Sequence, residues 1–597
     1  MATSAARTED VRWDLSDLAG SADEARTEWG RLVERATVFG SRYRGRVAEL
    51  DAAGVRALLD EADELAQAVS RLQVYTHLRL SADAADPEAN DLATVSRERA
   101  ADVDNALVFV DLEWIALDDA RAATLLAAED VAAYAHKLRV LRDQKPYVLS
   151  EPEERALNAR RPTVSAWQSL HDREVATLET PFDSGDGERP HTVSMLLADL
   201  LRPEPEVRRG AFATLLSALE PRADVLAACY DALVGDRLAM DRLRGFSDPM
   251  QPTNMNNELE DETVETMQRV TLENVGIAQR WFHTKAKLLG FDRLELADQY
   301  APIGEARAFT WADALEAVDS SFARFSPRFA EIARAALETG HVDAPPRPGK
   351  ATGAFCTEVS RSVFPYVMLN FSERLRDVST IAHEFGHLVH DVLALEEQTW
   401  RSHRAGIPIA EVPSTFAQSL ADDYLLESEP DAQTRAVLAA DRLETAFAAV
   451  FRQTVLARFE QRAYRLRMEG RALSADRLSE LWQEEQARYY GDAIVIPATY
   501  GVGWSYITHF IHVRFYTYAY SFAQLVALLL QRRYREDPDA FVPRYLDFLR
   551  AGGSESPAEL LRPFDVDLQS EETWREAFAE LEALRVEADT LAAAAAG

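Results

Sequence analysis

Apolar residues recur at spacings of three and four through most of this 597-residue chain, which commits it to a predominantly helical fold. In the stretch 51–80, Val55, Leu58, Leu59, Ala62, Leu65 and Val69 fall on one helical face. Comparable patterns cover 91–117 and 121–140. Ser150-Glu-Pro-Glu-Glu154 predicts a helix start with Ser150 as N-cap and acids in the first turn. Gly and Pro number only 25 each, so few helices need be interrupted. One clear β signal stands apart: 353–359 and 364–371 are rich in β-branched and aromatic residues. From Asp377 the pattern is helical again almost to the end, where the Ala-rich tail is expected to fray. Polar breaks lie at 182–190, read as a hairpin or a boundary, and at 343–353.

Charge and composition narrow the function classes. Lys and Arg total 65 against 99 Asp and Glu, a net charge of −34. Such a chain repels phosphate backbones and anionic lipid surfaces, which excludes general nucleic-acid binding and membrane-surface binding. A hydrophobic share of 47% is too high for a disordered protein. Two cysteines cannot build a disulfide framework or a Cys-based zinc finger. The N-terminal residues lack a signal-peptide pattern, and the apolar run 525–530 falls well short of the ~20 residues of a membrane helix. The expected location is the reducing cytoplasm.

The chemistry centres on His383-Glu-Phe-Gly-His387. On a helix, expected over about 377–395, the two histidines lie one turn apart on one face and can aim ring nitrogens at one ion. Glu384 sits beside them, placed to reach a water on that ion. Neutral imidazole and carboxylate donors suit zinc. The competing explanation is a chance or purely structural His pair, so a third donor matters. A catalytic zinc needs three protein ligands. A metzincin would place Gly at position 390 and His at 393, but the chain has His390 and Leu393. The remaining solution is a Glu on a following helix. Glu411 is the candidate, in an apolar stretch entered through Pro408 and Pro413. A first-turn Glu that only favours the helix dipole is the alternative.

A third cluster is aromatic: His509, Tyr516, Tyr518 and Tyr520. Tyr516 and Tyr520 are expected to share a helix face, with His509 two turns earlier. Peptide hydrolysis develops negative charge on the carbonyl oxygen, and phenol O–H and imidazole N–H donors aimed there stabilise it. An aromatic core stripe is the competing explanation. Tyr500-Gly-Val-Gly503, just ahead, is read as a flexible hinge near substrate. Six of the 12 histidines (383, 387, 390, 403, 509 and 512) gather in this part of the chain, consistent with a site.

The run Asp377-Val-Ser-Thr-Ile-Ala-His-Glu-Phe-Gly-His387, with His390 and Ala410-Glu-Val-Pro-Ser-Thr415, resembles the M3 family of zinc peptidases. Trp13-Asp-Leu-Ser-Asp-Leu18, Tyr75-Thr-His-Leu-Arg-Leu80, Leu149-Ser-Glu-Pro-Glu-Glu154, Ser165-Ala-Trp167 and Pro365-Tyr-Val-Met-Leu-Asn-Phe371 are similar to its oligoendopeptidase F branch. So is the C-terminal set of Trp504, His509, Phe515, Tyr516, Tyr518 and Tyr520.

That resemblance implies a mainly α, two-lobed, zincin-type peptidase with a deep substrate channel and a small β-sheet beside the zinc helix. It implies an N-terminal helical domain over 1–190 and a catalytic domain over 191–590. One Zn²⁺ per chain would be held by His383, His387 and Glu411, with Glu384 as general base. His509, Tyr516 and Tyr520 would be the transition-state donors and Tyr518 a further substrate contact. Gly353, Ala354 and Phe355 would lie on a strand that pairs with the substrate backbone. The implied substrates are short peptides cut internally, with neither a monomer nor a homodimer favoured.

Three features depart from the family pattern: Gln418, where an acid is expected, the segment Ala297-Asp-Gln-Tyr300, and the pair His403 and Arg404. Two rival readings stay open. One is a helical zinc dipeptidyl- or carboxypeptidase, with Arg404 or Arg514 as anchor for a terminal carboxylate. The other is a non-catalytic peptide-binding protein.

Overall fold

A computed structural model describes residues 7–596. Helix accounts for 72% of the chain and strand for 4%, which places it in the mainly α class that the periodicity predicts. The chain forms two compact units. One joins Met1–Lys145, Arg307–Ser428 and Leu530–Val566; the other joins Pro146–Ala306, Glu429–Leu529 and Asp567–Gly597.

The first unit opens with helices Ala22–Tyr43, Ala52–Ala82 and Pro87–Leu107. Each N-terminus is capped by a side chain: Ser21, Asp51 and Asp86 accept from the first-turn N–H groups. The apolar face expected for 51–80 is inside, and Trp29 and Phe39 have no exposed surface. The stretch expected as one helix over 91–117 is two, meeting at Val108, and 121–140 is split by a 3-10 segment, Glu129–Tyr134.

Val342–Asp343, Tyr366–Met368 and Phe355–Thr357 form a sheet in that spatial order. The middle strand is parallel to the first and antiparallel to the last, with Cys356 opposite Val367. Phe355–Thr357 is therefore an edge strand. Tyr366 ties the sheet to the N-terminal helices, its hydroxyl donating to the Asp14 carbonyl at 2.8 Å. The Pro-rich break at 343–353 is a pinned loop: buried Lys350 donates to the Asp343 carboxylate at 2.6 Å and to the carbonyls of Pro345 and Leu369.

Two further helices of this unit, Leu375–Glu397 and Ile407–Ser428, pack against each other. The second is clamped through Phe416, whose ring lies 5.4 Å from Phe325 and 4.4 Å from Tyr545.

In the second unit, the polar break at 182–190 is the tip of a hairpin, Glu179–Asp183 with Glu188–Thr192. The Asp183 carboxylate accepts from the N–H groups of Gly185 and Gly187, both in the left-handed region that the turn requires. The last helix is Glu571–Ala596. The tail expected to fray continues this helix, because Ala is the strongest helix former and Ala588 and Ala592 are buried. Gly597 lies outside the described residues. No described helix is long and apolar enough to cross a membrane.

Candidate metal centre

Helix Leu375–Glu397 is placed by its own sequence. Val378, Ile381, Ala382, Phe385, Leu388 and Val389 bury its inner face. Asp377 closes the N-terminus by accepting from the amides of Ser372 and Arg374 at 2.6 and 3.1 Å. His383 and His387 then emerge one turn apart, half-buried, with ring centroids 5.0 Å apart. Glu411, in the first turns of Ile407–Ser428, brings Oε2 to 3.8 Å from His383 Nε2 and 3.7 Å from His387 Nε2. One donor atom from each of the three lies within 4.8 Å of the others. A tetrahedral centre with ligands at ~2.1 Å spaces them about 3.4 Å apart. The two edges to Glu411 lie within about 0.4 Å of that spacing.

The electrostatics fit a cation. Burial pushes His383 down to about 4 and His387 well below its usual value, so both rings are neutral with lone pairs to give. Burial raises Glu411 to about 7. Glu384 is pushed up to about 8, by burial first and then by the Glu411 carboxylate, against an opposing hydrogen bond from the Cys356 amide. Among the described residues, no Lys or Arg lies within 4.0 Å of either carboxylate. A buried acid, a half-buried acid and two neutral imidazoles without a basic partner are a donor set for a metal ion.

The supporting shell comes from the same helix as Glu411. The Ala410 carbonyl faces His387 and the Gln418 side chain faces His383, each partly offsetting the effect of burial on its ring. Gln418, one of the departures, thus orients a ligand through a neutral amide where a carboxylate is expected. Gln418→Ala is expected to weaken metal binding about tenfold, as orienting partners typically do. Competition against a calibrated chelator checks this, and an unchanged affinity would remove Gln418 from the site.

The other clustered histidines sort themselves. His390 is buried and held down to about 4 by burial. His403 packs tilted against the Trp400 ring, with Nδ1 2.6 Å from the Trp400 carbonyl. His512 pairs with Asp172 at 3.0 Å. Both proposed carboxylate anchors are engaged: Arg404 with Glu358, and Arg514 with Asp241 at 2.7 Å. Asp298, in the departing segment 297–300, is fully buried between Arg208 and Arg209.

In the second unit, His509, Tyr516 and Tyr520 do come together. Their ring centroids are 5.7 Å (His509 to Tyr516), 6.1 Å (His509 to Tyr520) and 5.2 Å (Tyr516 to Tyr520) apart, and all three side chains are half-buried. The backbone that gathers them is not the continuous helix expected. A short helix, His509–His512, is followed by a break, and the next helix begins at Tyr518. Phe515 sits at φ 53°, a left-handed conformation rare for a bulky residue, held by its amide donating to the buried Glu460 at 2.8 Å. Tyr518 is corrected to an interior residue: it has no exposed surface, and its hydroxyl accepts from Asn257 at 2.7 Å. The expected hinge is also corrected. Ala498–Trp504 is a 3-10 segment buried from Tyr500 onward, and a Cβ at Gly503 would lie 2.4 Å from the Tyr500 ring, so these glycines serve close packing.

Gly353 lies just before the edge strand, and the ring of Phe355 within it packs tilted against His77, centroids 4.9 Å apart. Two contributors had no signal in the sequence. The Cys356 amide is a backbone group, and Gly386 matters only because of what lies opposite it.

With this geometry in place, comparison with known proteins is informative. The sequence model of Peptidase family M3 matches residues 200–580, and that of Oligopeptidase F matches 113–179. Oligopeptidase PepF of Bacillus subtilis is 26% identical over 568 residues, covering 94% of this chain and 84% of that one. Group B oligopeptidase PepB of Streptococcus agalactiae is 24% identical, covering 98% of each chain. The oligoendopeptidase-F structure from Enterococcus faecium superposes with a TM-score of 0.73 at 20% identity, covering 95% of this chain and 98% of that one. The M3 match runs through the donor triad and through His509, Tyr516 and Tyr520 alike, and on that extent this chain belongs to peptidase family M3, a family of metal-dependent peptide hydrolases.

Proposed function

We propose that this protein is a zinc-dependent endopeptidase that cuts internal bonds of short peptides. The observation that carries the reading is the convergence of His383, His387 and Glu411, with buried Glu384 one residue along. Zinc suits two imidazoles and a carboxylate, one ion per chain, and when bound it lowers the pKa of a water and polarises a carbonyl. His383 and His387 contribute neutral lone pairs and Glu411 a carboxylate oxygen. Glu384 takes a proton from the attacking water at its carboxylate and gives it to the leaving amine nitrogen. The His509 imidazole and the Tyr516 and Tyr520 hydroxyls donate to the oxyanion that develops on the scissile carbonyl. The edge strand Phe355–Thr357, with Gly353 and Ala354 before it, offers unpaired backbone groups to an extended peptide.

Along the sequence we assign the supporting helices to 1–190 and the catalytic parts to 191–590, a division that follows the gap between the two family matches at 179 and 200 and that the two compact units, each built from three stretches of chain, cut across. Two free cysteines suit a reducing cytoplasm.

The test pairs metal analysis with cleavage of a peptide library blocked at both ends. One zinc per chain and internal cuts in blocked peptides are expected. Products arising only from unblocked termini would replace this reading with the exopeptidase one. Intact peptides after long incubation with zinc would replace it with the non-catalytic one.

A further inference from the structure

Ala448–Arg452 is a π-helical turn between helices Ala432–Phe447 and Gln453–Met468. Such turns are rare and appear frequently at functional sites. This one delivers Arg452 to a half-buried position. The groups that act most strongly on its guanidinium include the phenols of Tyr300, Tyr490, Tyr500 and Tyr506, and it acts in turn on the imidazole of His509. Tyr490 gives its own proton to Gln299 at 2.6 Å. Tyr300, Tyr506 and His509 are half-buried like Arg452, so the cluster reaches solvent.

What is missing is an acid. Among the described residues, no Asp or Glu lies within 4.0 Å of Arg452. Its neighbours in the same unit are matched: Arg458 and Arg462 with Glu485 at 2.9 and 2.8 Å, and Arg514 with Asp241 at 2.7 Å. A guanidinium does not shed its proton, so a half-buried one lacking an acid beside it is poised to receive a carboxylate. Ring dipoles and neutral hydroxyls make the pocket tolerable but do not neutralise it. On a chain of net charge −34, a free carboxylate is repelled at long range, and a sheltered cation is what makes a place for it.

We propose that Arg452 is the anchor for a carboxylate of the peptide substrate, its C-terminal carboxylate first, with the surrounding phenols completing the hydrogen bonding. This rests on the peptidase reading above. It makes Arg452 a specificity residue placed beside the His509 cluster, and it supplies the carboxylate partner that Arg404 and Arg514, already paired, do not.

The experiment uses three internally quenched peptides of one sequence. The first ends in a free carboxylate and the second in a carboxamide. The third ends in a carboxamide and carries an internal Glu in place of Gln. The zinc-loaded wild type is expected to favour at least one carboxylate-bearing peptide about tenfold in kcat/KM over the amide. Arg452→Gln should erase that advantage, bringing the ratio of acid to amide kcat/KM to about one, and Arg452→Lys should restore part of it. Whichever peptide loses its advantage identifies the terminal or side-chain source. An advantage undiminished in Arg452→Gln overturns the proposal.

Equilibrium binding of the same peptides, labelled and without the quencher, separates the two levels of inference. If nothing is cleaved but the acid still binds better than the amide, and only with Arg452 present, the anchor stands and the endopeptidase reading fails. If wild type binds acid and amide equally, the anchor fails, even should Arg452→Gln not fold.

Discussion

Glu384→Gln is expected to keep its metal and lose turnover by about 10³-fold, within the range for removal of a general base. The substitution is isosteric at a side chain only 7% exposed, so the packing around it has no reason to change. The Cys356 amide that donates to the carboxylate can donate equally to the amide oxygen of Gln. His383, His387 and Glu411 are untouched, and their partners Gln418 and Ala410 stay in place. What is lost is a basic oxygen able to take a proton from water and carry it to the leaving nitrogen. Metal content by elemental analysis and hydrolysis of a quenched peptide, measured on the same sample, check both halves. Full metal with a rate within tenfold of wild type would show that the proton is handled elsewhere. Loss of metal would show that Glu384 belongs to the ligand set.

The sequence made the donor triad legible because each of its members is a local statement. A four-residue His spacing means one helix face, and apolar neighbours with Pro408 and Pro413 mark the start of the helix that holds Glu411. The helix over Ala52–Ala82 was legible for the same reason, its buried stripe and its Asp51 cap both lying within the segment itself. The illegible parts depend on partners far along the chain. Phe515 breaks the expected helix because Glu460, 55 residues earlier, accepts its amide proton. Tyr518 turns inward because Asn257, 261 residues away, meets its hydroxyl. Gly501 and Gly503 read as a hinge because a glycine that fits under a ring and one that flexes look alike in sequence. Arg452 drew no notice among many arginines, since what distinguishes it is the absence of a nearby acid among the described residues.

Gly386→Ala is expected to lower metal affinity by about 100-fold and to destabilise the fold by about 1–3 kcal/mol, the usual cost of overpacking. Intrinsic propensity points the other way, since Ala in a helix interior is favoured over Gly by about 1 kcal/mol. Packing decides the sign. A Cβ on Gly386 would lie 2.6 Å from the Cα of Ser414, 2.7 Å from the Cβ of Ala417 and 2.9 Å from the carbonyl oxygen of Pro413. Two of those three atoms are backbone, so no side-chain rotation relieves the contact. Relief requires the helix Ile407–Ser428 to move away by about 1 Å to reach ordinary van der Waals separation. That helix carries Glu411, Ala410 and Gln418, so the shift withdraws a ligand and both orienting partners from His383 and His387 in one motion. It is also held from behind by Phe416 against Phe325 and Tyr545, which makes the movement costly in its own right. Chelator competition and chemical denaturation of the metal-free protein read the two effects separately. If stability falls while metal affinity holds, the ligand geometry is set by helix Leu375–Glu397 alone. If both hold, the two helices do not approach as closely as these distances state. Should both fall together, the glycine of the pentapeptide is what allows the third ligand to reach the other two.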